Sequence, residues 1–466
     1  MSTVAEHVVC PSCGCLCDDI AVEVSGGRIV QARRACANGR SFFIHYDSSS
    51  HRPTIGGHEV DWETAIGEAG RILGAADSPL IFGLSSTATE AQRKAVELAD
   101  RLGAIVDSTS SVCHGPAILA MQSVGLPGCT LGEVRNRADL VIFWGCNPAV
   151  SHPRHFARYS LPHNGGQDRT VVVVDVRPTA STRVADLFLQ IQPGSDYEVL
   201  TTLRALVQGK CIAAEVIGGV PVARWQELAA RMKACHFGVV FAGLGLTMSP
   251  GRDLNVSELV MLAAELNAST HFSVIPMRGH GNVAGADQVL TWQSGYPFAV
   301  QYGRGYPCYG PGEFSAVDVL ARGECDAALI IASDPLAHLP HSAAQRLREI
   351  PTIVLDHQPT LTTQAAQVVL PTACYGVDAV GTFYRMDGVP IRLRAVLPPA
   401  RPSDEQVLDR LLSTQTTNPG PLPPPPPTLS TAQGGVPPKT RDAIAILETR
   451  DAVAGTQGGR WRQPTC

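Results

Sequence analysis

The sequence predicts an α/β protein built on parallel sheets, with a small cysteine-rich β domain ahead of them and a Pro/Gly-rich tail behind. Three observations carry this. From Trp62 onward, apolar strand-like runs alternate with helical periodicity, and most of these strands end in a Gly, Asn or Asp turn, as at the ligand-facing edge of a parallel sheet. The cysteines are unevenly spread: of 14, four lie between Cys10 and Cys17, with Cys36 next. Beyond Thr414 proline and glycine dominate, with an unbroken run from Pro423 to Pro427, so residues 414–466 are expected to be a disordered tail with one short helix at Arg441 to Arg450.

Bulk properties narrow the classes. A chain of 466 residues with 44% hydrophobic content has room for about two to four domains. A net charge of −5 gives no general pull toward nucleic acid or an anionic membrane. No apolar run approaches the length of a membrane span, and Met1 to Val9 has no basic leader, so a cytoplasmic address is expected. In that reducing setting, cysteines argue for metal or redox chemistry before disulfides.

Taken in order, Ile20 to Val24 alternates as a strand, turns at Gly26-Gly27 and returns through Ile29-Val30 as a hairpin. Cys10, Cys13 and Cys17 precede it and Cys36 follows. Four thiolates from so short a domain suit a [4Fe–4S] cluster or a tetrahedral zinc, and three clustered cysteines with a distant fourth favour iron–sulfur. Cys15 falls at the wrong spacing for a ligand. Thr64 to Leu73 is helical by apolar spacing, Pro79 to Leu84 is a buried strand, and Thr87 is expected to cap a helix from Ala88 to Leu102. Strands are expected at Gly103 to Asp107, Ala138 to Trp144, Arg169 to Asp175, Leu187 to Ile191, Val239 to Gly245, Asp326 to Ile331 and Thr352 to Leu355, and Val368 to Pro371 and Gly381 to Phe383 are expected to close the folded part. Helices are expected at Ala117 to Val124, Tyr197 to Gln208 and Ser403 to Ser413.

Two loops carry candidate chemistry. Cys113-His114-Gly115-Pro116 sits in a strand-to-helix turn and sets a soft sulfur donor beside an acid/base group, where the alternative is an ordinary buried pair. Met277-Arg278-Gly279-His280-Gly281-Asn282 is an Arg/His/Asn loop flexible enough to approach a ligand, the alternative being a solvated surface loop. The strand-end loops Gly145-Cys146-Asn147-Pro148, Asp175-Val176-Arg177-Pro178, Pro193-Gly194-Ser195-Asp196 and Gly243-Leu244-Gly245 are where a phosphorylated nucleotide would rest.

In this order, the motifs resemble the molybdopterin oxidoreductases, in their formate dehydrogenase-like branch. The Cys10 to Ile20 segment, Met277-Arg278-Gly279-His280 and Gly303-Arg304-Gly305-Tyr306-Pro307 are most similar to the formylmethanofuran dehydrogenase B subunits. The resemblance spans roughly Val8 to Pro398. It implies an iron–sulfur domain at 1–52, a discontinuous α/β domain at 53–110 and 283–400, and a pterin-binding α/β domain at 111–282, both α/β domains being Rossmann-like. It also implies roles. Cys10, Cys13, Cys17 and Cys36 would hold a [4Fe–4S] cluster, and Cys113 would ligate tungsten or molybdenum, with His114 and Arg278 beside the metal. Gly145, Asn147, Asp175, Arg177, Gly194, Asp196 and Gly243 would contact molybdopterin guanine dinucleotide. The implied activity is interconversion of CO2 and formate, a partner subunit of amidohydrolase type joining formate to the amine of methanofuran.

Two departures stand out. Asn38 replaces the lysine that many relatives carry between cluster and pterin, which removes a cationic bridge. The folded part is expected to end soon after Pro398, without the C-terminal β-barrel domain of single-chain relatives, so another subunit would complete the dinucleotide site. The competing reading is a redox-silent, cofactor-free subunit of a bacterial formyltransferase/hydrolase complex. A formate dehydrogenase is disfavoured by the missing domain, and a zinc-hairpin nucleic-acid binder by the acidic balance.

Overall fold

The cysteine-rich segment folds as a three-stranded antiparallel sheet, Ser2–Val8, Ile20–Ser25 and Arg28–Arg33 in that spatial order. The outer strand Ser2–Val8 escapes sequence reading because most of its side chains are exposed and no apolar alternation marks it. The structure, a computed structural model, describes residues 2–47, 49, 51–161 and 169–415. The expected disorder and short helix of the tail fall outside the described residues, apart from Thr414, which ends the helix Asp404–Thr414, and Gln415.

Two sheets form the core. One has nine strands, in the order Cys308–Tyr309, Val300–Gln301, Ile105–Ser108, Pro79–Gly83, Ala327–Ile331, Thr352–Asp356, Val368–Pro371, Thr54–Ile55 and His58–Glu59. Its middle five are parallel and its edge strands antiparallel. The other has five parallel strands, Leu187–Gln190, Thr170–Asp175, Leu140–Trp144, Phe237–Ala242 and His271–Pro276. The runs of Val, Ile, Leu and Phe in these strands are buried on both faces, as parallel sheets require.

The two parallel sets match strand for strand, and each set ends on one side at a strand whose chain crosses to the other half. After Ile105–Ser108 the helix Gly115–Val124 leaves the nine-stranded sheet, and its Ala117 and Ala120 join the core of the five-stranded half, against the helix Asp253–Leu266. After His271–Pro276 the helix Val283–Ser294 does the reverse. Its Ala286, Val289 and Leu290 pack into the core of the nine-stranded half, against Thr89–Leu102. The halves exchange a helix.

One expected cap is corrected. The helix after Thr87 is Thr89–Leu102, its N-cap is Ala88, and no side chain caps it. The Thr87 hydroxyl instead donates to the Asp404 carboxylate at 2.5 Å, because that buried acid at the start of the last helix needs a donor.

Within the five-stranded half, His155 is fully buried among Phe143, Phe241 and Tyr159, with Nδ1 on the Ser160 hydroxyl at 2.9 Å. Burial, with His152 nearby, pulls its pKa down to about 3. The unfolded chain takes this proton near pH 6.5, so the native state loses stability as pH falls below that value, by about 2 kcal/mol at pH 5. His155→Phe is therefore expected to flatten the acid limb. Urea midpoints at pH 7 and pH 5 should fall apart less in the variant than in the wild type, and equal pH slopes would refute the assignment.

Candidate active site

The Cys113 loop is fixed before any ligand arrives. The buried Asp107 carboxylate, at the end of its strand, accepts from Ser108 N at 2.9 Å, Ser111 Oγ at 2.7 Å, Ala299 N at 3.1 Å and Ala316 N at 2.7 Å. A short helical turn, Thr109–Val112, follows. Cys113 N then donates to the Ser110 carbonyl at 3.0 Å, and Thr247 Oγ1 donates to the Cys113 carbonyl at 3.2 Å. With its backbone held at both ends, the half-buried Cys113 side chain lines a cleft of about 350 Å³ together with His280, His338, Asp334, Asp356 and Ser85.

The second crossover supplies the rest. Arg278 follows the strand His271–Pro276, and Asp287 lies on the helix after it. The Asp287 carboxylate accepts from His114 Nε2 at 2.9 Å and from Ser110 Oγ, and pairs with Arg278 Nη1 at 3.1 Å. Sequence reasoning missed Asp287. Of the three residues it placed at the metal, His114 and Arg278 bond this buried acid, and Cys113 adjoins His114 in the chain.

The electrostatics follow from that geometry. Because Nε2 faces a carboxylate it carries the proton, which leaves the lone pair on His114 Nδ1. Burial pulls the His114 pKa down, opposed by the Asp287 charge. Burial and Asp287 together push the Cys113 thiol up to about 11, Arg278 opposing. Two buried polar atoms of the site have no partner among the described residues, His114 Nδ1 and Arg278 Nε. A cation beside Cys113 and an anion beside Arg278 would satisfy this donor set, since a coordinating thiol deprotonates outright. A further cleft, of about 420 Å³, reaches Arg278 from the side of Glu133, Gln288 and Asp387.

The expected nucleotide-contacting residues lie in strand-end loops of the five-stranded sheet. Gly145 has φ +59°, and a Cβ there would fall 2.7 Å from Leu246 N. At Gly243 a Cβ would fall 2.2 Å from Cys146 Cβ, so only glycine lets these two loops meet. Asn147 Oδ1 accepts from Ser181 N and Oγ at 3.2 and 2.7 Å. Asp175 is half-buried and accepts from Arg177 N at 3.3 Å, while the Arg177 side chain is exposed, as is Gly194 at φ +84°. Asp196 is turned inward: it is buried and accepts from Trp144 Nε1 at 2.8 Å.

The nine-stranded half repeats these loops, and the repeat was not read from the sequence. Ala332-Ser333-Asp334-Pro335 matches Gly145-Cys146-Asn147-Pro148, and Asp356-His357-Gln358-Pro359-Thr360 matches Asp175-Val176-Arg177-Pro178-Thr179. Asp334 and Asn147 cap their short helices with φ/ψ of −119°/72° and −123°/72°. Asp334 Oδ1 takes Thr362 N and Oγ1 at 3.0 and 2.6 Å, as Asn147 takes Ser181. Asp356 Oδ1 takes Gln358 N at 3.1 Å, as Asp175 takes Arg177 N. Ala332 even adopts the left-handed φ, +47°, that glycine takes at Gly145. The shared Asx-Pro and Asp-x-x-Pro-Thr strings were the available signal.

Cys10, Cys13, Cys17 and Cys36 line one small cavity with Cys15, His152 and Arg154. Burial pushes the Cys10 thiol far up, with Cys13, Cys17 and Cys36 adding to the effect as neighbours. Cys36 Sγ accepts from Gly39 N at 3.5 Å, and a Cβ on Gly39 would fall 2.9 Å from Cys10 Sγ. Cys15 is buried and hydrogen-bonds Cys13 through their side chains. Among the described residues no three His, Cys, Asp or Glu side chains converge closely enough to hold a single metal ion. Asn38 is exposed and donates to the Val150 carbonyl at 3.4 Å.

With this geometry in place, comparison identifies the class. The molybdopterin oxidoreductase family matches residues 56–403, and the chain belongs to that family. Within it, the chain is 46% identical over 413 residues to the B subunit of the tungsten-containing formylmethanofuran dehydrogenase 2 of Methanocaldococcus jannaschii, covering 86% of this chain and 95% of that one. It is 43% identical to the same subunit of Methanococcus maripaludis, over 88% and 98% of the two chains, and so falls in the formylmethanofuran dehydrogenase B-subunit family. A chain in the crystal structure of the formyltransferase/hydrolase complex of Methylorubrum extorquens, solved with methylofuran, shares the fold with a TM-score of 0.65 at 24% identity, over 78% of this chain and 98% of that one. No helix among the described residues is long and apolar enough to cross a membrane.

Proposed function

We propose that this chain is the redox catalytic B subunit of a formylmethanofuran dehydrogenase-type complex, which interconverts CO2 and formate for formyl transfer to or from a methanofuran-type carrier. The observation that carries the reading is the convergence of His114 and Arg278 on Asp287 beside the Cys113 turn, with one lone pair and one N–H left unpartnered. Cys113 Sγ would hold tungsten or molybdenum, and the loops after the matched strands would hold the paired guanine dinucleotides of a bis-pterin cofactor. Gly145, Asn147, Asp175, Arg177, Gly194, Asp196 and Gly243 serve one half, and Ser333, Asp334, Asp356 and Gln358 the other. Once bound, the metal–pterin group supplies the two-electron chemistry at the carbon.

The chain's own residues do the rest. Arg278, already fixed by Asp287, keeps Nε–H for a carboxylate oxygen of formate. His114 Nδ1 takes the proton that leaves the carbon in oxidation and returns it in reduction. Burial of both groups excludes bulk water from that exchange. Cys10, Cys13, Cys17 and Cys36 would carry the [4Fe–4S] cluster that moves electrons away. In this reading residues 1–52 form the cluster domain, 53–110 with 283–400 one α/β domain and 111–282 the other. An amidohydrolase-like subunit and a subunit contributing a further pterin-binding domain would complete the assembly.

Metal and pterin analysis of the complex from its natural host tests this. About one tungsten or molybdenum and about four irons per chain are expected. Their absence after metal-replete growth would overturn the redox reading in favour of a redox-silent subunit of a formyltransferase/hydrolase complex.

A further inference from the structure

His152 is named by no motif, yet it stands where the cysteine cavity meets the Arg278 loop. Its ring lines the cavity with Cys10, Cys13, Cys17 and Cys36. Its Nε2 lies 2.9 Å from the Arg278 carbonyl, and its Nδ1 lies 2.8 Å from Ser151 Oγ. A carbonyl only accepts, so Nε2 carries the hydrogen. Both ring nitrogens are thus engaged, and His152 is not a fifth ligand for the cavity.

The same two loops touch directly. Gly14 N donates to the Gly279 carbonyl at 3.0 Å, and a Cβ on Gly14 would fall 2.5 Å from the Arg278 carbonyl oxygen. A Cβ on Gly281 would fall 2.1 Å from the Pro11 carbonyl oxygen. On the other side, Ser151 gives its one hydroxyl hydrogen to His152 Nδ1, and its backbone N donates to the carbonyl of Asn147 at 3.1 Å, in the strand-end loop of the five-stranded half. One imidazole, itself 1% exposed, therefore joins the cysteine loop, the arginine loop and the Asn147 loop.

We infer that His152 is a positioning residue that couples the cysteine cluster to the catalytic arginine, by holding the Arg278 carbonyl in place and by forming a polar wall of the cluster cavity. The inference rests on the cluster and redox reading above. It supplies a bridge between the two regions in a chain where Asn38 is exposed and bonded elsewhere. Groups around a cluster set its potential through local polarity, and a reduced cluster carries more negative charge. Replacing imidazole by phenyl should therefore lower the potential. Loss of the Nε2–H bond should loosen Arg278 and weaken substrate binding.

The test uses the purified whole complex with three variants. In His152→Phe, redox titration followed by electron paramagnetic resonance should show a downward shift of the cluster midpoint. His152→Gln places an N–H where Nε2 stood, and its KM for formate should stay within about twofold of wild type. His152→Asn reaches only the Nδ1 position, and its kcat/KM should fall about 10- to 100-fold, mainly through KM. If His152→Phe does not assemble, the Asn/Gln contrast decides alone. Equal behaviour of Asn and Gln overturns the positioning role, and an unmoved midpoint in an iron-loaded His152→Phe complex overturns the coupling. An iron-free wild type instead removes the cluster reading itself.

Discussion

Replacing Asp287 with alanine is expected to cost about 3–5 kcal/mol of stability and to abolish turnover in the same variant, because one carboxylate serves both ends. Arg278 and Asp287 are 9% and 8% exposed, so removing the acid leaves a buried guanidinium unpaired and takes away the only Arg278 side-chain ion pair among the described residues. His114 loses the acceptor that fixes its tautomer, and Ser110 loses its partner beside the Cys113 turn. Asp287→Asn, which keeps the shape, should be destabilised nearly as much, since an amide cannot balance the charge. Denaturant midpoints and formate-dependent dye reduction on the two variants check this. A loss below about 1 kcal/mol in both would remove Asp287 from the centre of the site.

Cys113 should behave in the opposite way. Its backbone bonds to Ser110 and Thr247 do not involve the sulfur, and its side chain faces the cleft. Cys113→Ala is therefore expected to change stability by less than about 1 kcal/mol while formate/CO2 interconversion and metal occupancy are lost together. Unchanged redox activity would refute the ligand role. The two variants separate a residue that builds the site from one that the structure only presents.

Much of the fold was legible because its signals are local. Buried strands read as runs such as Thr170–Asp175, and the last helix, expected at Ser403 to Ser413, runs Asp404–Thr414 with Ser403 and Gln406 capping each other. The strand Ser2–Val8 was not legible, since its partner and not its own pattern makes it a strand. Thr87 looked like a cap because threonine before a helical run usually is one, and a distant buried acid claimed its hydroxyl. The same distinction governs the site. Cys113, His114 and Arg278 stand in short strings that carry their chemistry on their face. Asp287 sits inside an ordinary helical stretch, Ala286-Asp287-Gln288, and acquires its role only when that helix crosses to the other half.

The helix exchange also bears on how such a centre can move and form. Cys113 and His114 leave one sheet and Arg278 leaves the other, so the bonds of Asp287 act as a clasp across the seam between them. Any hinge that parted the sheets would have to undo the clasp first. A nascent chain cannot close it until the second edge strand, ending at Pro276, has been made and its helix has docked. A chain that stops before Pro276 therefore has neither Arg278 nor Asp287, and Cys113 and His114 stand without the other side of the candidate site.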